Sequence, residues 1–404
     1  DTVSQIWQAL GLETYNAHHP LFMTWILKIC LWIGQSAVSS NRAGAVIYFL
    51  IQAVLLIFIF SYTIYYLEMK GISKFNRNII WLIYAFCPFI VGYIGVILKD
   101  VLYSAFFLLF IIFCVQYLED KEYEIQWKTL VGLTVSGIFT VLMRNNGKEV
   151  IYPTLFVIAF ITIWKNRKVP RQCIKAILVF ALPVVCATLI SKGLVCYYSI
   201  VPGSIAEALS LPFQQTARTV YEHGEEILVE EQEAIDVVLG YDNLAERYNP
   251  LLSDPVKFMY NPEVGKEELL SYAQVWLKHL VRYPRTYIDA TLHQNYPLFC
   301  ILQDNYIFYY SSTVTYKEEL LINEYKLIEQ IEALFVSFYE LAFDIPVIGI
   351  FSRASFYSLL LLILTFFILC DRDYKFLIPL LPMWMTIGIS ILGPAIMRHP
   401  RYSF

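Results

Sequence analysis

The sequence has no G-x-G-x-x-G turn, no Walker loop and no nucleophile elbow, so the local signatures of dinucleotide, P-loop and α/β-hydrolase chemistry are absent. Its eight cysteines (30, 87, 114, 173, 186, 196, 300 and 370) form no CxxC pair and no Cys/His cluster with zinc spacing, which leaves them as small buried hydrophobes. Cys196 and Cys300 can both face one side of a membrane, but nothing in the sequence demands a disulfide between them. Charge is also scarce, at 16% of 404 residues. The net charge is -4, with most of the acids between 201 and 350, a distribution that argues against a nucleic-acid partner. No secretory signal is recognisable. The chain begins at Asp1 without an initiator Met and stops after an apolar run, which predicts that both ends are cut and that a helix precedes residue 1.

What is abundant is apolar surface. Hydrophobic residues make up 58% of the chain and the mean hydropathy is +0.55, so the fold class expected is an all-α polytopic membrane protein. A hydrocarbon core about 30 Å thick needs runs of about 20 residues. Such runs lie at 43–66, 78–98, 101–118, 128–143, 149–164, 174–196, 354–370 and 375–397, two of them slightly short but bracketed by charge. The connections at 67–77 (Lys70, Lys74, Arg77), 119–128 (Lys121, Lys128), 165–175 (Lys165, Arg167, Lys168, Arg171, Lys175) and 371–375 (Arg372, Lys375) are rich in Lys and Arg. By the positive-inside rule these four are cytoplasmic.

Parity then governs the segment NAHHPLFMTWILKICLWIGQS, residues 16–36. Crossing here would bury Lys28 mid-membrane, at about 2.5–3.5 kcal/mol on insertion scales. Lying in the interface puts Lys28, Trp25 and Trp32 at headgroup level. The expected organisation is a first external loop with interfacial helices (1–40), transmembrane helices (41–199), an external, mainly helical domain (200–352) and C-terminal transmembrane helices (353–404). Within the external domain, the acidic run Glu225 to Asp236 reads as a solvated helix face, and NYIFYYSSTVTY is the one strand-like stretch.

This topology gathers Asp1, His18, His19, Arg42, Lys99, Asp100, Arg144, Asn145, Asn146, Arg398, His399 and Arg401 at the outer ends of spans. Single cations there are explained by snorkelling, whereas their accumulation on the cation-poor face reads as an anion site. Several residues carry two readings. Asp100 either orients neighbours of Lys99 or binds a divalent ion, or it caps the helix beginning at Val101. His18 and His19 either bind a metal or acceptor, or hydrogen-bond at the interface while Pro20 starts the surface helix. Gly147 is either part of a site or a helix cap, whereas the paired Asn145 and Asn146 exceed what a cap needs. In LPFQQTAR, Gln214, Gln215 and Arg218 fall within one helical turn, suited to a sugar or phosphate or to a satisfied polar face.

An acid in the first external loop, HHP leading into a surface helix, an Arg opening the next span, KD at Lys99–Asp100 and RNNG at 144–147 together resemble the GT-C superfamily of membrane glycosyltransferases. The order of elements is similar to the protein mannosyltransferase and aminoarabinose transferase branch, and with QQTAR and SDPVK in the external domain the chain looks closest to Gram-positive bacterial members. The likeness covers nearly the whole chain through short motifs in shared order. It implies sugar transfer, with inversion, from a polyprenyl-phosphate donor to a glycan, lipid or protein of the bacterial cell envelope, at a site facing outside the cell membrane. The family pattern has a helix before the acidic loop, and only Asp1 and Glu13 are available before residue 40. Asp1 is the expected general base, with Lys99 and Arg144 first, then Arg398 and Arg401, as ligands of the departing phosphate. A divalent Mg or Mn ion is the cofactor the resemblance allows, beside a metal-free route. Two other functions compete: a carrier or flippase for a lipid-linked glycan, which calls for ionisable or broken helices near the midplane, and a non-catalytic envelope assembly protein, which gives no reason for these residues to share a face.

Overall fold

A computed structural model describes residues 2–16, 19–94, 96–120, 123–198, 200, 205–301, 333–334, 337–338, 341 and 344–393. Asp1, His18, Arg398, His399, Arg401 and the strand-like stretch lie outside them. The described residues form an all-α polytopic membrane protein, with seven helices long and apolar enough to cross a membrane: Leu21–Val38, Asn41–Met69, Lys99–Glu119, Gly147–Lys165, Pro170–Tyr198, Ala354–Asp371 and Tyr374–Leu392. The chain divides into two units, one built chiefly from Asp1–Gly203 and the other from Ser204–Tyr306.

In the first unit α1 (Thr2–Leu10) and α2 (Leu21–Val38) precede α3 (Asn41–Met69), α4 (Lys74–Phe86), α5 (Pro88–Ile94), α6 (Lys99–Glu119), α7 (Trp127–Met143), α8 (Gly147–Lys165) and α9 (Pro170–Tyr198). The run 78–98, expected as one span, is two helices. Pro88 has no N–H and disfavours a helical residue before it. Cys87 accordingly takes an extended ψ of 115° and ends α4, leaving pieces of 13 and 7 residues. α7 is apolar but, at 17 residues, shorter than the other spans.

Side-chain pairs set the direction of each helix. Tyr62 of α3 packs on Phe113 of α6, and Tyr66 donates to Glu119 at the end of α6, so these two helices run parallel. Phe106 stacks on Phe139 at 4.7 Å near the start of α6 and the end of α7, while Thr129 donates to Asp120 at their other ends, so this pair is antiparallel. The tight contact between α6 and α7 depends on Gly132, where a Cβ would lie 2.2 Å from the Phe113 ring. One end of the unit thus carries Lys99, Asp100 and Arg144, and the opposite end Lys70 and Glu119.

α2 and α3 meet through a two-residue turn. Ser39 closes α2 in the left-handed region (φ 53°), and the Ser40 hydroxyl caps α3 by accepting from the Ala43 N–H. A Cβ on Gly34 would sit 2.1 Å from the Gly44 nitrogen, so glycine at both positions is what lets the helix backbones touch. A helix crossing antiparallel to α3 would carry Phe22 about 25 Å in depth toward the Lys70 end. Instead Phe22 packs on Phe139, four residues from the end of α7. The Lys28 ammonium lies over Tyr15 (5.3 Å) and over Tyr198 (4.9 Å), the last residue of α9. All these contacts of α2 belong to the Asp100 end, although its length and composition also suit a crossing helix.

The second unit folds α10 (Ser210–His223), α11 (Val229–Leu239), α12 (Leu244–Arg247), α13 (Asp254–Lys257), α14 (Lys266–Arg282) and α15 (Pro284–Asn295) around Phe213, Ala217, Ile235, Val238, Leu239, Leu244, Val256 and Tyr272. The acidic run is solvated at Glu225, Glu226, Glu230 and Glu233, but Glu231 turns inward. Its carboxylate accepts from Arg282 through both oxygens (3.0 and 3.2 Å) and from Nε2 of the fully buried His279 (3.1 Å). Burial holds the His279 imidazole below its ordinary value against the pull of Glu231. Its Nδ1 is buried without a partner, so a second ring proton has no acceptor. Burial alone would raise the Glu231 carboxyl, and the bonds from His279 and Arg282 carry it below its usual range.

Both shifts have the same sign in stability. The unfolded chain takes up a proton at His279 near pH 6.5 that the folded unit refuses, and another at Glu231 near about 4.3. The thermal midpoint of the purified protein should therefore fall as pH drops from 7.5 to 5, and fall again below 4.5. His279→Gln, which keeps an N–H donor but cannot titrate, should flatten the first step. An equally steep decline in that variant would assign the acid sensitivity to other groups.

Candidate functional site

Asp100 sits in the first turn of α6, where a carboxylate is favoured by the helix dipole. Leu98 occupies the N-cap position without a side-chain bond, so the helix starts two residues earlier than expected and Asp100 is not its cap. Leu98 and Val101 pack with Leu56 and Ile59 of α3, which fixes the start of α6 and with it the Asp100 backbone.

Arg144 ends α7 in an extended conformation (φ -147°, ψ 136°). The chain turns at once into α8, with the Gly147 N–H donating to the Arg144 carbonyl at 2.9 Å. A Cβ on Gly147 would lie 2.6 Å from the Thr140 carbonyl oxygen and 2.8 Å from the Val141 Cα. Its role is therefore close approach of two helices, not capping. Asn146, at the N-cap position of α8, makes no side-chain cap bond, and both Asn145 and Asn146 are exposed.

These constraints bring Arg144 Nε to 3.6 Å from Asp100 Oδ1, with side-chain exposures of only 14% and 6%. The guanidinium lies over the ring of the buried Tyr103, 5.2 Å from its centroid. The contact is longer than the 2.7–2.9 Å typical of charge-assisted hydrogen bonds, and Asp100 Oδ1 is buried without a hydrogen bond. A buried ion pair with an unsatisfied oxygen stabilises a fold poorly; groups kept in this condition are candidates for ligand contact.

The other expected residues are distributed as follows. Lys99 is half-buried beside Asp100 at the start of α6, and Arg42 is exposed in the first turn of α3. His19 is buried, one residue before the Pro20 that precedes α2. Gln215 and Arg218 belong to the second unit and hold it together. Gln215 donates to Thr291 and accepts from the Trp276 indole, both at 3.0 Å. Arg218 engages Glu222 at 2.7 Å, Tyr248, His293 and Asp289, and Gln214 donates to the Asn249 carbonyl at 2.7 Å. Gln215 and Arg218 are thus engaged within the unit, while Gln214 Oε1 is buried without a hydrogen bond. Tyr103 joins this cluster without being a charged residue at a span end, and its i+3 spacing from Asp100 places both on one helix face.

Among the described residues no three His, Cys, Asp or Glu side chains come together to hold a metal ion, and the group beside Asp100 is a guanidinium. All eight cysteines are free.

Arg144→Ala takes the paired cation from the buried Asp100 carboxylate and should destabilise the protein by about 3 kcal/mol or more, whereas combining it with Asp100→Asn should cost less than the sum of the two single variants. Additive losses in thermal unfolding would show that the two side chains act independently.

Compared with known proteins, the chain matches neither a curated protein nor a solved structure. A match to the family described as a family of unknown function, DUF6020, spans residues 12–400, and the chain therefore belongs to that family.

Proposed function

We propose that the chain is a membrane glycosyltransferase of the GT-C type, moving a sugar from a polyprenyl-phosphate donor to a cell-envelope acceptor at the outer face of the membrane. The observation that carries this reading is the Asp100–Arg144 pair, buried at one end of the helical unit with a carboxylate oxygen unsatisfied and Lys99 adjacent. In the reaction an acceptor hydroxyl oxygen attacks the anomeric carbon. The bond from that carbon to the phosphate oxygen breaks, and the phosphate departs with the electron pair. The hydroxyl proton passes to a carboxylate, for which Asp1 is the candidate. Arg144 and Lys99 supply positive charge where the leaving phosphate gains its own, and Asp100 fixes the Arg144 guanidinium above Tyr103.

An outward orientation follows from the Lys- and Arg-rich connections at the Lys70 end. It leaves a lipid-linked sugar as the available donor, since nucleotide sugars are cytosolic. The break between α4 and α5 favours a glycan carrier, because carriers bind at interrupted helices. The residues at that break, Cys87, Pro88 and Phe89, offer no cation to escort a phosphate.

Sugar transfer from a panel of undecaprenyl-phosphate sugars by protein in vesicles tests the proposal. Arg144→Ala should slow transfer by about 100-fold or more, Lys99→Ala should have a smaller effect, and Asp1→Asn should abolish it while leaving the protein folded. Full activity in Arg144→Ala would remove the phosphate role. Lipid translocation without any sugar transfer would favour the carrier.

A further inference from the structure

α1 is folded with its polar residues inward. Gln5 and Gln8 have no solvent exposure, less than Val3, Trp7 and Leu10 of the same helix. Burying an amide end without a partner costs about 1–3 kcal/mol, so apolar residues would serve packing better at both positions.

Each amide has one end tied down, and the ties fix which end. Ser4 Oγ donates to Glu13 at 2.7 Å, so it can only accept from Gln8, whose Nε2 lies 3.2 Å away. Thr24 Oγ1 donates to the Pro20 carbonyl at 3.4 Å, so it accepts from Gln5 Nε2 at 3.5 Å. Both NH2 groups are thus directed to hydroxyl oxygens, and both carbonyl oxygens, Gln5 Oε1 and Gln8 Oε1, are buried with no hydrogen-bond partner. Two neutral acceptors at i and i+3 face one side of the helix, about 5–6 Å apart at Cβ, within the width of one sugar ring. Neutral acceptors of this kind suit hydroxyl donors, whereas a cation would be drawn to a carboxylate.

The position fits as well. Thr24 is two residues from Phe22, which packs on Phe139, and Phe139 stacks on Phe106 of α6. Gln5 is therefore tied to the end of the unit that holds Asp100 and Arg144.

We infer that Gln5 and Gln8 form a subsite whose two amide carbonyls accept hydrogen bonds from hydroxyls of the transferred sugar, setting which sugar the site prefers. The inference rests on the glycosyltransferase reading.

Native mass spectrometry of the full chain in detergent, titrated with undecaprenyl phosphate and with the same lipid carrying glucose, mannose, galactose, N-acetylglucosamine or arabinose, tests it. The wild-type protein should bind at least one sugar-bearing lipid more tightly than the bare lipid phosphate. Gln5→Leu and Gln8→Leu should each reduce that preference by about tenfold while leaving bare-phosphate binding and the thermal midpoint unchanged. Gln5→Met and Gln8→Met serve where a branched side chain lowers the midpoint. A sugar preference that survives in all the folded variants overturns the subsite alone and leaves the two carbonyls to buried water. Absence of any preference in the wild-type protein overturns the glycosyltransferase reading and the subsite with it.

Discussion

A carboxylate can be buried at the end of an apolar helical unit only if a cation is brought to it, and Arg144 at 3.6 Å from Asp100 is that cation. Much of the first unit is arranged around this meeting. Gly132 lets α7 close on Phe113 of α6, and Gly147 lets α8 turn back against Thr140 so that Arg144 ends α7 facing α6. Phe106 and Phe139 stack between the two helices, and Leu98 and Val101 anchor the start of α6 to α3. Moving any of these contacts by a turn would leave one charge buried alone, which is far more costly than the pair.

Both units bury polar atoms without a partner, Gln214 Oε1 and His279 Nδ1 in the second among them. In the second unit Arg218, Gln215 and Glu231 each have several partners, and their effect is to clamp α10 to α15 and α11 to α14. In the first unit Asp100, Gln5 and Gln8 are buried with acceptor atoms unused. Structural polar networks are completed within the fold, while binding groups are left to be completed by a ligand. The proposed function takes the Asp100 end as the site on this ground, while Gln215 and Arg218 of QQTAR hold α10 to neighbouring helices.

The helices were legible because long apolar runs dominate the composition, and spans such as 101–118 and 174–196 fall on α6 and α9. Hydropathy alone reads through Pro88, since the residues around it are all apolar, and so it merges α4 with α5. Arg144 and Asp100 could be picked out as charges at span ends, but their pairing across α6 and α7 depends on two glycines whose role is visible only when helices touch. Glu231 reads as one acid in a solvated run because its partners His279 and Arg282 lie 48 and 51 residues further on. Gln5 and Gln8 have no sequence signal of their own: a glutamine in a short helix is ordinarily exposed, and only tertiary packing turns these two inward.

The most direct measurement is an experimental structure of the protein with undecaprenyl phosphate bound. The phosphate is expected within hydrogen-bond reach, about 3 Å, of the Arg144 guanidinium, at the end of the first unit that holds Asp100 and Lys99. A phosphate seated instead at the Lys70 end, or on Arg218 in the second unit, would contradict the assignment of this ion pair as the functional centre.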